Sequence, residues 1–150
     1  MKEIPAPKRL THIASIALRV ALAAGFLSAV ADRFGLWGKA GTAGVAWGDW
    51  PHFVAYTGKL NWFVPAALIP TLAVIATFAE TILAFLLLGD CWPRYTALAT
   101  GALLLLFALA MTFASGIKAP LDYSVYTAAG AAFFLAATSQ PFRVQNSRGR

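Results

Sequence analysis

Cysteine is nearly absent from this chain. Cys91 is the only one in 150 residues, which excludes an intramolecular disulfide, a thiol relay and a CxxC redox pair. The two histidines, His12 and His52, lie far apart in sequence with no second thiolate, so no all-protein metal or iron–sulfur site is expected. Charge is scarce as well. Charged residues make up 12% of the chain against 59% apolar, with a mean hydropathy of +0.68, a balance that argues against an ordinary soluble domain. Acidic residues are the scarcest, six against twelve Lys and Arg, for a net charge of +6. The cations sit in tails and loops beside apolar runs, so anionic lipid and topology explain them better than nucleic acid.

Four long apolar runs remain, and they predict an all-α fold: a polytopic four-helix transmembrane bundle in one domain covering residues 1–150. The expected spans are residues 11–31, 65–89, 95–114 and 122–138, each close to the twenty or so residues that cross the hydrocarbon as a helix. The first run also ends in a small-x-small pattern, Ala29, Val30, Ala31, as a signal peptide does. Arg19 in its middle argues against that reading. Two faces of this helix differ: Ala17, Ala21, Gly25 and Ala29 form a small-xxx-small seam, whereas His12, Ser15, Arg19, Ala23 and Phe26 share nearly the opposite side.

Between the first two runs, residues 32–62 hold five glycines before Gly58 and four of the five tryptophans. The glycines predict loop. Asp49 is the expected N-cap of a short helix through Thr57, with Gly58 as its terminator. Trp50, Phe53, Val54 and Thr57 share one side, which predicts an interfacial helix in the first outer loop, its rings at headgroup depth. Later, GDCWPR is a tight turn between antiparallel neighbours, and the Asp122 carboxylate suits the start of the fourth helix. Seven Lys and Arg fall on the side of the two termini and four on the other. The positive-inside rule then places both termini in the cytoplasm.

Glu80 is the only charge in the second run and Arg19 the only one in the first. A carboxylate in hydrocarbon costs several kcal/mol unless paired, protonated or hydrated, so it demands a partner. If the first helix enters the bilayer near Leu10 and the second leaves it near Gly89, Arg19 and Glu80 each lie about nine residues, roughly 13 Å, from the same boundary. An Arg19–Glu80 pair is therefore expected, with Ala73, Ala76, Thr77 and Ala84 leaving room beside it for water or a head group. Ser15 and Thr100 are placed to satisfy remaining donors and acceptors, and Tyr126 lies nearer the outer half. Such a pair serves equally as a clip that sets helix register or as a working site.

Arg19 in the first span, the FLSAVADRFGLWG exit, the FVAYTGKLN segment and the E-x-x-LAFLLLG-x-x-x-x-R run from Glu80 to Arg94 together resemble the DoxX family of small bacterial membrane proteins. Arg33 stands where the family's basic residue, often Lys, follows the first span. The resemblance covers nearly the whole chain and implies a four-helix protein of the bacterial inner membrane. Related DoxD and DoxA subunits belong to thiosulfate:quinone oxidoreductase. That relation implies a membrane subunit of a quinone-linked redox system, with no cofactor built in, a quinone as the ligand and a partner redox subunit. In that reading Arg19 polarises a quinone carbonyl and Glu80 handles a proton. The alternative is a non-enzymatic binding or transport module for a lipid or small amphiphile. A homo-oligomer fits either.

Overall fold

A computed structural model describes residues 8–139, and these form helices with no strand among them. In order they are α1 (Lys8–Arg33), α2 (Trp50–Leu60), a 3-10 turn (Ala66–Leu68) leading into α3 (Ile69–Leu88), α4 (Pro93–Ser115), α5 (Lys118–Asp122) and α6 (Val125–Thr138). Three helical stretches, Arg9–Arg33, Ala66–Leu88 and Pro93–Ser115, are long and apolar enough to cross a membrane. The fourth expected span is represented by α6, apolar but only 14 residues long, about 21 Å at the helical rise. Asp122 does not start it. That carboxylate ends α5, paired with Lys118, and α6 begins after Ser124, which takes a left-handed conformation at φ 56.

The bundle is held by small residues. Ala23, Ala84, Ala97, Ala132 and Ala136 are buried together with Leu22, Phe26, Leu87 and Leu135, so α1, α3, α4 and α6 approach closely, as packing in lipid favours. At Gly101 of α4 an added Cβ would lie 2.8 Å from the Phe133 ring of α6, so any larger residue there must displace that ring. Outside this core the helices expose large apolar side chains, including Ile75, Phe78, Ile82 and Phe85 on α3 and Leu106 and Phe113 on α4. Continuous apolar cover of this extent suits hydrocarbon, since soluble monomers keep such patches small. The small seam of α1 faces outward too: Ala17, Ala21 and Gly25 are exposed, and among the described residues no atom outside its own helix comes within 4 Å of a Cβ built at Gly25. The opposite face, with Ala23 and Phe26, is the one that packs inward.

Helix ends follow local chemistry. α1 closes in a Schellman motif, Leu36 N–H donating to Ala31 O and Gly35 N–H to Asp32 O, with Gly35 at φ 73. α3 ends the same way, Cys91 to Leu86 and Asp90 to Leu87, but the left-handed position is filled by Asp90 at φ 52, a residue that tolerates it. α2 starts where the sequence places it, the Asp49 carboxylate accepting from His52 N–H at 2.9 Å. Gly58 does not terminate it. The helix runs on to Leu60 and is capped by Asn61, whose backbone and side-chain N–H groups both reach Thr57 O. The cationic termini used for orientation, Lys2 and Arg143, Arg148 and Arg150, lie outside the described residues.

Candidate functional site

Glu80 is 1% exposed, and its partner is Arg33, not Arg19. Arg33 Nη2 donates to Oε1 at 2.6 Å and to Oε2 at 2.7 Å, and Nη1 donates to Thr77 Oγ1 at 2.7 Å. Thr77 passes its own proton to Ala73 O at 2.9 Å, so the guanidinium, a hydroxyl and a helix carbonyl form one chain. The Phe53 ring of α2 lies over the guanidinium, 3.8 Å from its carbon to the ring centroid, with Trp47 at 5.4 Å. A desolvated cation on an aromatic face contributes up to about 2 kcal/mol. The position of Arg33 in the last turn of α1 adds a favourable interaction with the helix dipole.

Arg19 is instead paired with Asp90, just past the end of α3. The expected pair rested on α1 entering the bilayer level with the exit of α3. The observed contacts shift the antiparallel register: Arg19 meets α3 roughly ten residues, about 15 Å, further along than Glu80. Arg33 takes the vacated role because a helical side chain leans toward its own N-terminus, which carries the guanidinium back along α1 to Glu80.

Neighbouring Asp32 braces the cover of this centre. Its Oδ2 accepts the backbone N–H groups of Ala46 and Trp47, both at 2.9 Å, so the glycine-rich loop is pinned where Trp47 meets Arg33. Gly48 is needed for that path: its φ is +72, and a Cβ would fall 2.2 Å from Ala40 N. The rings of Phe34, Trp47, Trp50, Phe53 and Tyr56 then pack as one cluster, with centroids 5.0 to 6.0 Å apart. Two buried atoms of the centre, Asp32 Oδ1 and Arg33 Nε, have no hydrogen-bond partner among the described residues.

Beside the pair, Val30, Phe34, Trp50, Val74, Thr77, Phe78 and Thr81 line an open apolar groove of about 620 Å³. Thr77 belongs to both, so the groove and the charged centre adjoin at its side chain, although neither Arg33 nor Glu80 lines the groove. Of the other residues singled out in the sequence, Ser15 lies on α1, one turn before Arg19 and half-exposed. Thr100 is fully buried in α4, its hydroxyl without a partner among the described residues. Tyr126 shares a hydrogen bond with Thr112 at 2.9 Å. Glu80 and Thr77 are thus brought together, while Arg19, Ser15, Thr100 and Tyr126 have no hydrogen bond to either. Asp32, Arg33, Trp47 and Phe53 join the centre without having been singled out for it. Their one legible sign was an acidic–basic pair followed directly by a loop dense in glycine and tryptophan.

No family model, curated protein or solved structure matches this chain.

Proposed function

We propose that this chain is a multi-pass protein of the bacterial inner membrane and that its Arg33–Glu80 centre holds the polar head of a small amphiphile whose tail lies in the adjoining groove. One observation carries the reading: Thr77 lines the groove and also accepts a hydrogen bond from Arg33. Ligand sites in general combine an apolar cleft with a few convergent polar groups, and buried ionisable residues in a membrane are functional candidates by default. In this account α6 is the fourth crossing, both termini are cytoplasmic, and α2 lies at the outer interface. Its exposed side carries His52 and Lys59, while Phe53 and Thr57 on the other side are buried against the bundle.

A quinone-linked role in the manner of DoxD and DoxA subunits is the second reading, favoured by the unpartnered Arg33 Nε–H, a donor suited to a carbonyl oxygen. The redox centre would then belong to a partner subunit, and Arg33, not Arg19, would polarise the quinone. Mass spectrometry of protein purified from membranes tests both readings. A co-purifying amphiphile should be present with the natural chain and lost from Val74→Trp, which fills the groove without touching the ion pair. Equal loading of the two proteins would remove the groove from consideration; a quinone among the bound molecules would select the second reading.

A further inference from the structure

A second groove lies toward the other end of α3, where its last turns meet the start of α4. Leu83 and Leu86 line it from α3, and Tyr95, Thr96 and Ala99 from α4, with Trp92 of the connecting turn, around a space of about 440 Å³. It shares no residue with the groove beside Glu80. Thr96 brings no free hydroxyl to it, since its Oγ1 donates to Cys91 O at 2.7 Å. Trp92 and Tyr95 are strongly exposed, and rings of this amphipathic kind sit at the headgroup level of a bilayer. Trp92 takes its place from a left-handed backbone, φ 44 and ψ 57. Bulky residues rarely adopt that conformation, and such outliers cluster at ligand sites.

Charge restricts what fits. Arg94 stands between Trp92 and Tyr95 in the chain, its Cα about 3.8 Å from that of Tyr95. Its side chain is not part of the groove wall; it is exposed and has no ion pair among the described residues. Asp90, the carboxylate of the same turn, is taken up by Arg19. The turn thus offers one uncompensated cation beside an apolar groove, at the level where α3 ends and α4 begins. That is the level of the lipid phosphates when these helices cross a bilayer. The N-terminal dipole of α4, which has no side-chain cap, adds to the same positive potential. Basic residues at this depth draw anionic headgroups, whereas a choline or ethanolamine head would bring an ammonium with no free carboxylate in the turn to receive it.

We propose that this groove binds an anionic phospholipid, one acyl chain lying against Leu83, Leu86 and Ala99 and the phosphate held by Arg94. Trp92 and Tyr95 occupy the level between chain and phosphate, which suits rings that are apolar in body and polar at one end. Binding there depends on the membrane setting proposed above and is independent of the Arg33–Glu80 centre. Arg94 sets the headgroup preference, and the groove sets where the lipid lies.

The test is a competition on the full chain in detergent micelles, with phosphatidylglycerol and phosphatidylcholine of identical acyl chains in equal amounts and the retained lipid read by native mass spectrometry. Phosphatidylglycerol should be retained about fivefold over phosphatidylcholine, the factor that one arginine near a lipid surface supplies. Arg94→Gln should bring the ratio close to one, whereas Lys59→Gln, at an exposed cation of α2, should leave it unchanged. Ala99→Trp, which fills the groove, should reduce retention of both lipids. Independently of any variant, phosphatidylglycerol carrying a diazirine on its acyl chain should label residues 83–99. Equal retention of the two lipids by the natural chain, a preference that survives Arg94→Gln, or labelling confined to other segments would each overturn the site. A chain that stays in solution without detergent or lipid would remove the membrane setting, and the site with it.

Discussion

Breaking the Arg33–Glu80 pair from either side should have unequal effects. Both side chains are buried, with 3% and 2% exposure, and removing one partner of a buried pair typically costs about 3–5 kcal/mol, because the other charge is left uncompensated. Arg33 also loses its Thr77 hydrogen bond and its seat over Phe53. Even so, Glu80→Leu should be the more damaging change, since it strands a guanidinium that stays charged, whereas a stranded carboxyl can take up a proton. The double change Arg33→Met with Glu80→Leu should recover most of the loss, as buried pairs replaced by apolar residues often do. Unfolding in detergent, followed by tryptophan fluorescence, gives the four stabilities of the cycle. A coupling of about 2 kcal/mol or more is expected for Arg33 with Glu80, and close to none for Arg19 with Glu80, which share no partner. Coupling between Arg19 and Glu80, with none between Arg33 and Glu80, would refute the register described here.

Three further outcomes follow from the packing and caps. Gly101→Ala should destabilise by about 1–3 kcal/mol despite alanine's better helix propensity, because its methyl would meet the Phe133 ring at 2.8 Å. Phe133→Ala in the same chain should then cost less than it does alone, read by thermal unfolding. Gly48→Ala forces a backbone clash as well as a left-handed alanine, so limited proteolysis should find the loop cut faster while the α3–α4 hairpin stays protected. Hydrogen bonds from His52, first its backbone N–H and then its ring, hold the Asp49 carboxyl below the usual carboxylate range. With the folded value depressed, the cap supports α2 above the ordinary carboxylate pKa and is lost as pH falls through the lowered one. The His52 amide resonance should report that transition, and Asp49→Ala should remove it.

The class of fold was legible because it depends on composition and run length. Three apolar runs map onto Arg9–Arg33, Ala66–Leu88 and Pro93–Ser115 with ends within a few residues, and Asp49 caps α2 because a side-chain oxygen one residue before a helix has few other uses. The inward face of α3, with Ala73, Thr77, Glu80 and Ala84, was equally readable from its spacing. What could not be read was how far α1 slides along α3. Hydropathy marks a span's length but is almost blind to its offset against a neighbour, and an arginine side chain covers several ångströms of the remaining error. Arg33 was hidden for a second reason: at the end of an apolar run, ahead of a glycine-rich loop, a basic residue looks like a surface anchor. Only the fold of that loop, with Asp32 pinning Ala46 and Trp47, converts it into a buried one.

The pairing of Arg33 with Glu80 inside the helix bundle is the point on which the site depends. Solid-state NMR on protein in lipid bilayers, with guanidinium ¹⁵N and glutamate carboxyl ¹³C labels, measures it directly, because the chain holds only Glu3 and Glu80 as glutamates. A strong dipolar contact should be present in the natural protein, vanish in Arg33→Met and persist in Arg19→Met. A contact that survives Arg33→Met and disappears in Arg19→Met would contradict the account.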